Sequence, residues 1–341
     1  MLSFIGLIIV LGLVVFVHEV GHFAAARMCG VKVLAFSIGF GLGKPLYKWT
    51  DKRGTQWRIG WLPLGGYVDL YGEKPEKKNE KGEGSLQSVS NLKRAFIMAA
   101  GVILNFVLAW ILFLFLFAAK PEQIVRPVIG GVAEKSLAET AGIKPGWIIK
   151  SISNQPVSEW SDILKAKTRA GNSVVKIEFE NGSAARLLGD KSWGISPAAD
   201  ENPQFKKRTF AGVVSRATAE VWEQSKLLFI VIRQLITGER DSKQLGSFIM
   251  IAQMSGEALV AGIFALIAMI AMLSINLGVV NLLPIPALDG GHLLIIAIES
   301  ITRRKLNEKA VGYVITGGWV VLVSLMALAL KNDILRLLGL L

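Results

Sequence analysis

Apolar and polar positions divide the chain into long apolar runs separated by three intervals, two of them long. Four runs carry few or no charges and reach the roughly 20 residues that cross a bilayer: 2–26, 95–119, 258–288 and 310–330. They predict a polytopic α-helical membrane protein with about four transmembrane helices. Helix 1 is placed in 1–30, helix 2 in 94–120, helix 3 in 258–300 and helix 4 in 310–331. The third run exceeds one span, which predicts a tilted helix or one partly outside lipid.

The polar intervals carry other periods. In 31–72, Val31, Val33 and Ala35 alternate with other residues, as do Trp57, Ile59 and Trp61. A period of two predicts short strands, with turns at Gly39, Gly41, Gly43, Pro45, Gly65 and Gly66. The product is a membrane-associated β-hairpin or small sheet, which must pack against the helices to satisfy its backbone. Residues 73–93 are rich in Lys, Glu and Gly and read as a flexible cytoplasmic linker.

Residues 121–200 read as a separate external domain, a partly open β-barrel with two helices. Strands are expected at 125–132, 148–152 and 174–179. A helix is expected over 158–170, with Trp160, Ile163 and Leu164 on one side. Ser158 followed by Ser161 makes no full capping box. In 201–257, Val221, Trp222, Leu227, Leu228, Ile230, Val231, Leu235 and Ile236 oppose Glu220, Glu223, Lys226 and Arg233. That pattern predicts an amphipathic helix along the membrane surface or a fifth, irregular membrane element.

Composition agrees with a membrane protein: 52% of residues are hydrophobic and 19% charged. The net charge of +12 does not imply nucleic acid, because no aromatic-interleaved basic groove or binding motif accompanies it. Basic residues instead follow the first run (Arg27, Lys32, Lys44, Lys48, Lys52, Arg53, Arg58), precede the second (Lys93, Arg94) and follow the third (Arg303, Arg304, Lys305). The positive-inside rule makes those loops cytoplasmic and both termini external. Cys29 is the single cysteine, so no intrachain disulfide can form. A cleaved signal peptide is not expected, since no basic region precedes the first run and cleavage would discard or strand the histidines.

Candidate chemistry is concentrated in two segments holding all three histidines: His18-Glu19-Val20-Gly21-His22 and Leu288-Asp289-Gly290-Gly291-His292. The first is H-E-x-x-H inside an apolar run, where ionisable groups are costly. Residues four apart share a helix face, so both imidazoles can reach one ion. Catalytic zinc takes three protein ligands and leaves one position open. Asp289 is the remaining candidate in an apolar region. His18 lies about 24 Å along its span at roughly 1.5 Å per residue, so both motifs fall near the cytoplasmic side. Pro284 and Pro286 break the helix after Asn281 and expose carbonyls beside that polar side chain. Zinc would acidify its water to a pKa near ~7, and Glu19 would take the proton.

Other readings stand beside these. The histidine pair could bind haem or relay protons, although haem draws its axial ligands from opposite sides. Asp289 could cap a helix, and His292 reads as a supporting residue. Asn281 and Asn105 could each pack helices together by hydrogen bonding. A proton-coupled transporter would favour inverted repeats, and none is found. A non-catalytic peptide-binding scaffold would not need Glu19.

Together these residues resemble the site-2 protease family of intramembrane zinc metalloproteases, most closely its bacterial regulator-of-sigma-E branch. The matching segments are His18 to Phe23, the glycine-rich 36–41, Gly65-Gly66-Tyr67-Val68, and 281–286 with 288–292. The resemblance implies zinc held by His18, His22 and Asp289, Glu19 as acid/base, and substrate contact at Asn281, with Pro284 and Pro286 in the same motif. It implies cleavage of single-span membrane proteins, such as an anti-sigma factor trimmed beforehand, or of signal-peptide remnants, in a bacterial inner membrane. It also implies an external PDZ-like domain acting as a size filter, since Ala141-Gly142-Ile143-Lys144-Pro145-Gly146 matches a PDZ helix-turn. The chain departs from the pattern in three places. Val102 stands where Gly-Pro-x-x-Asn has proline, Gly246-Ser247-Phe248 replaces Gly-Pro-Ile, and one PDZ-like unit with Trp147 after Gly146 replaces two.

Overall fold

The computed structural model describes residues 2–40, 44–73, 82–119, 121–170, 173–188, 192–199, 204–206, 209–237 and 247–338. The expected turns at Gly41 and Gly43, the expected linker over 74–81 and the Gly246 departure lie outside them. The chain forms two compact units, Met1–Leu116 with Gly212–Leu341, and Phe117–Ala211.

The first unit begins with α1 (Leu2–Met28), apolar on all sides yet buried along one stripe: Gly6, Leu7, Val10, Val14, His18, Gly21, His22, Ala25 and Ala26. The opposite side leaves Leu2, Phe4, Ile5, Ile9, Leu13 and Phe16 exposed, as a lipid-facing surface would be. A sheet follows, of β1 (Val33–Phe40), β2 (Tyr47–Thr50), β3 (Gln56–Ile59) and β4 (Leu62–Leu70), in the order β2-β3-β1-β4. It is more than a hairpin, because β1 runs parallel to β3 and antiparallel to β4. The expected alternation is realised at Val31, Val33 and Ala35, all buried, whereas Trp61 lies outside the strands and is exposed.

The C-terminus of α1 pins the sheet. Arg27 donates to Thr55 Oγ1, which itself donates to the Val33 carbonyl at 2.9 Å. Partial burial works to raise the Asp51 pKa, but hydrogen bonds from the Thr55 and Arg53 N–H groups and Trp57 Nε1, with nearby Arg27, outweigh it. The Asp51 carboxyl therefore sits below its ordinary range. The last part of the expected 73–93 linker is ordered against this sheet. Ser85 and Leu86 are buried, the Leu86 N–H donates to Tyr71, and the Lys32 N–H donates to Gly84. An apolar leucine in an otherwise polar run supplies the anchor. Next comes α2 (Asn91–Ala119), which starts earlier than the apolar run.

The second unit holds β5 (Glu122–Ile124), β6 (Ile129–Val132), α3 (Leu137–Thr140), β7 (Ile149–Ile152), β8 (Gln155–Pro156), α4 (Trp160–Ala170), β9 (Val174–Phe179), β10 (Ala184–Leu188), β11 (Ile195–Pro197) and β12 (Gln204–Lys206). A four-stranded sheet, β10-β9-β7-β8, is joined by the pairs β11-β6 and β12-β5. Of the expected strand over 125–132, only 129–132 is realised, as β6; β5 lies just before the expected range, and Pro127 falls between the two. The expected boundary at 200 is too early, because β12 pairs with β5. Ser153 and Asn154 take positive φ of 49° and 64°, the conformation a two-residue hairpin turn requires. At α4 the cap runs in reverse: Asp162 Oδ2 accepts from the Ser158 N–H and hydroxyl at 3.2 and 3.0 Å. Ile163 faces the core, whereas Leu164 is exposed. That core contains Ile129, Ile143, Ile149, Ile152, Val175, Ile177, Phe179 and Trp193.

The chain returns to the first unit through α5 (Phe210–Thr237), α6 (Phe248–Ala261), α7 (Ile263–Leu282), α8 (Asp289–Thr302) and α9 (Glu308–Leu337). Two expectations change here. The 201–257 interval is not one amphipathic segment. It holds the long helix α5 and the apolar α6, which packs on α1 where Gly6 meets the Ser255 backbone and Gly256 meets Ser3. The third apolar run is not one helix either. It breaks at Gly262, whose φ is 105°, and again after Leu282. Among the described residues, four helices are long and apolar enough to cross a membrane: Leu2–Met28, Asn91–Ala119, Ile263–Leu282 and Lys309–Arg336.

Candidate active site

Helix α1 places His18 and His22 one turn apart on its buried stripe. The two Nε2 atoms are 3.1 Å apart. Asp289 Oδ2 lies 3.1 Å from His18 Nε2 and 3.4 Å from His22 Nε2. Position 289 reaches them because the chain turns back between α7 and α8. The N–H groups of Leu283, Ile285 and Leu288 donate to the carbonyls of Val280, Leu283 and Ile285, so the carbonyls expected to be exposed by the proline break are partly taken up in local turns. Pro284 and Pro286 shape that break, while Asn281 at the end of α7 brings Nδ2 within 3.3 Å of His18 Nε2. Gly290 and Gly291 make the reversal possible. A Cβ on either would lie 2.2–2.3 Å from the Leu283 or Ile285 carbonyl oxygen, closer than atoms pack.

Helix α2 closes the other side. The Ile97 carbonyl faces His22 Nδ1 at 2.8 Å. A carbonyl only accepts, so Nδ1 carries the proton and neutral His22 turns its Nε2 lone pair to the centre. One turn further on, Gly101 leaves room for the rings, since a Cβ there would lie 2.4 Å from His22 Nε2 and 2.7 Å from the nearest His18 ring atom. A further turn on stands Asn105, fully buried, with Nδ2 3.2 Å from His18 Nδ1.

These donors fit a cation. Asp289 Oδ2 is buried at contact distance from two imidazole nitrogens without forming an aligned hydrogen bond. A buried carboxylate oxygen facing nitrogen lone pairs is costly unless positive charge lies among them. A tetrahedral zinc ion with bonds of about 2.0–2.1 Å keeps its ligand atoms roughly 3.3–3.4 Å apart, close to the separations found here. His18, His22 and Asp289 form the metal-ligand-type cluster among the described residues. Glu19 is half-buried beside them. Gly66 of β4 lies against its Cγ.

His292 stands outside the cluster and lines a small cavity with Arg94 and Glu299. Those two form a partly buried ion pair at 2.7 Å of which the sequence gives no sign. Glu299 follows Asp289 by ten residues, and nothing in the local pattern marks it as buried opposite Arg94. The sequence gives no sign of Ile97, which acts through a backbone carbonyl, and marks Gly101 only as the first residue of the Gly-Pro-x-x-Asn pattern, not as the gap that admits both rings.

Two histidines and a carboxylate facing one point, with a glutamate alongside and apolar helices around them, define a membrane-embedded metallohydrolase. The chain belongs to peptidase family M50, whose model matches residues 6–325. It is similar to a candidate zinc metalloprotease of Agrobacterium fabrum, 36% identical over 97% of this chain and 95% of that protein. A second such protein, from Rickettsia conorii, is 35% identical over 99% of both chains. The metalloprotease MmpA of Caulobacter vibrioides is 31% identical over 98% of this chain and 96% of its own. The protein is thus a membrane protease of a zinc-dependent family, as the resemblance in its motifs implied.

Proposed function

We propose that this chain cuts peptide bonds within the transmembrane segments of single-span membrane proteins, with zinc held by His18, His22 and Asp289. The observation carrying this reading is the 3.1–3.4 Å triangle of two imidazole nitrogens and one carboxylate oxygen beside Glu19. Zinc bound there supplies Lewis-acid polarisation of the scissile carbonyl and a water acidic enough to attack at neutral pH. Glu19 takes the proton of the attacking water and returns it to the leaving amine. Asn281 donates to the substrate backbone, with the turn at Pro284 and Pro286 holding the α7 end in place. Burial of the site among apolar side chains limits water to the reacting position.

A helical substrate hides its peptide bonds, so it must unwind locally before cleavage. β4 is an edge strand of its sheet, and its Gly66 adjoins Glu19. An extended substrate segment would add to that edge by β-augmentation. The charge pattern supports a bacterial inner-membrane orientation with both termini periplasmic and the site toward the cytoplasm. The second unit would then be a periplasmic PDZ-like domain admitting substrates already trimmed by another protease, anti-sigma factors among them.

The test is cleavage of a single-span substrate by purified Glu19→Gln protein. Loss of turnover with zinc content unchanged is the expected result. Cleavage at the wild-type rate would overturn the acid/base role.

A further inference from the structure

The two histidines are not held alike. His22 is fixed by the Ile97 carbonyl, which leaves its tautomer no choice. His18 Nδ1 meets the carboxamide of Asn105, whose Oδ1 is buried without a hydrogen-bond partner. The residue is fully buried and its backbone is anchored, because the buried Ser274 hydroxyl on α7 donates to the Asn105 carbonyl at 2.8 Å. Ile97, Gly101 and Asn105 thus form one stripe of α2 laid against both rings.

A carboxamide offers a donor end and an acceptor end of the same outline, exchanged by a half-turn about Cβ–Cγ. With NH2 toward Nδ1, the His18 proton must sit on Nε2, among the other donor atoms. With Oδ1 toward Nδ1, the proton moves to Nδ1 and the Nε2 lone pair faces the centre. The orientation found leaves Oδ1 unpartnered, so no competing hydrogen bond at that atom holds the amide there, and commitment of Nε2 to a metal decides between the two. We propose that Asn105 is the positioning residue for His18, its Oδ1 accepting the Nδ1–H when Nε2 binds the metal. It would do through a side chain what the Ile97 carbonyl does for His22.

This inference rests on the proposed ligand set, and one series of full-length variants separates the two. Zinc affinity is measured by chelator competition in the wild type, Asn105→Leu, Asn105→Asp and His22→Ala. Loss of an outer partner of a metal-bound histidine should weaken binding about 10- to 100-fold in Asn105→Leu. Asn105→Asp keeps an acceptor and should stay near wild type. The chain has three histidines, so ¹⁵N-histidine NMR reads the ring directly. The zinc-bound wild type and Asn105→Asp should show His18 protonated at Nδ1 and hydrogen-bonded. Wild-type affinity in Asn105→Leu, or equal weakening in Asn105→Asp and Asn105→Leu, overturns the positioning role. Zinc retained by His22→Ala overturns the ligand set instead. Should Asn105→Leu fail to fold, Asn105→Asp and the NMR signature still decide.

Discussion

At the scale of single residues, the site depends as much on a missing side chain as on those present. A methyl group at position 101 would sit 2.4 Å from His22 Nε2, with α2 backbone behind it and both imidazoles in front. The rings are the softer partner, so Gly101→Ala should turn them off the common point rather than unfold the helices. The expected outcome is a zinc affinity lowered by about tenfold or more, as for other disturbances of ligand orientation, with helical circular dichroism unchanged. This part of the site was unevenly legible. His18, Glu19 and His22 follow one another at helical spacing, and Asp289 stood out as a charge within an apolar run. Ile97 left no trace, because a carbonyl is common to every residue; Gly101 showed only as the first residue of a motif, because a glycine's meaning depends on what lies opposite. Asn105 was visible as a polar residue in the second run, but its role required knowing which ring it faces.

At the scale of elements, apolar runs found the helices but not their breaks or ends. The third run is continuous in hydropathy, yet its glycine and proline positions divide it into α6, α7 and α8, and that division delivers Asp289 to the histidines. The fourth run ends at 330, just before the charged Lys331, Asp333 and Arg336, yet α9 continues to Leu337. Asp333 is buried there and serves another helix. Its Oδ2 accepts from the Ser247 N–H and hydroxyl at 2.8 and 2.6 Å and from the Met250 N–H at 3.2 Å, capping α6. Helix starts leave N–H groups unsatisfied, and a carboxylate is well suited to them. Asp333→Ala should therefore cost roughly 1–3 kcal/mol, the usual penalty for orphaned buried donors. Hydrogen exchange should report it as faster exchange at 247–250, and unchanged protection there would contradict the capping role. A cap supplied from 86 positions away has no local signature.

At the scale of the whole molecule, the candidate metal ligands and the core around Ile177 belong to separate compact units. The His18, His22 and Asp289 cluster lies wholly in the first unit, and the second has an independent core around Ile129, Ile149, Ile177 and Trp193. The polar interval and its alternating strands made this division legible. The pairing of β5 with β12 was not, because three-residue strands have too few positions to show a period. Ile177 is fully buried at the centre of that core. Replacing it with alanine removes apolar contacts and leaves a cavity, for a cost of about 2–5 kcal/mol. If the units are energetically separate, Ile177→Ala should lower the unfolding temperature of the second unit, followed through tryptophan fluorescence, while zinc content stays at the wild-type level. A joint loss of zinc and of that transition would mean that the metal centre depends on the second core. Retained zinc with loss of selectivity between trimmed and untrimmed substrates would place recognition in the second unit and catalysis in the first.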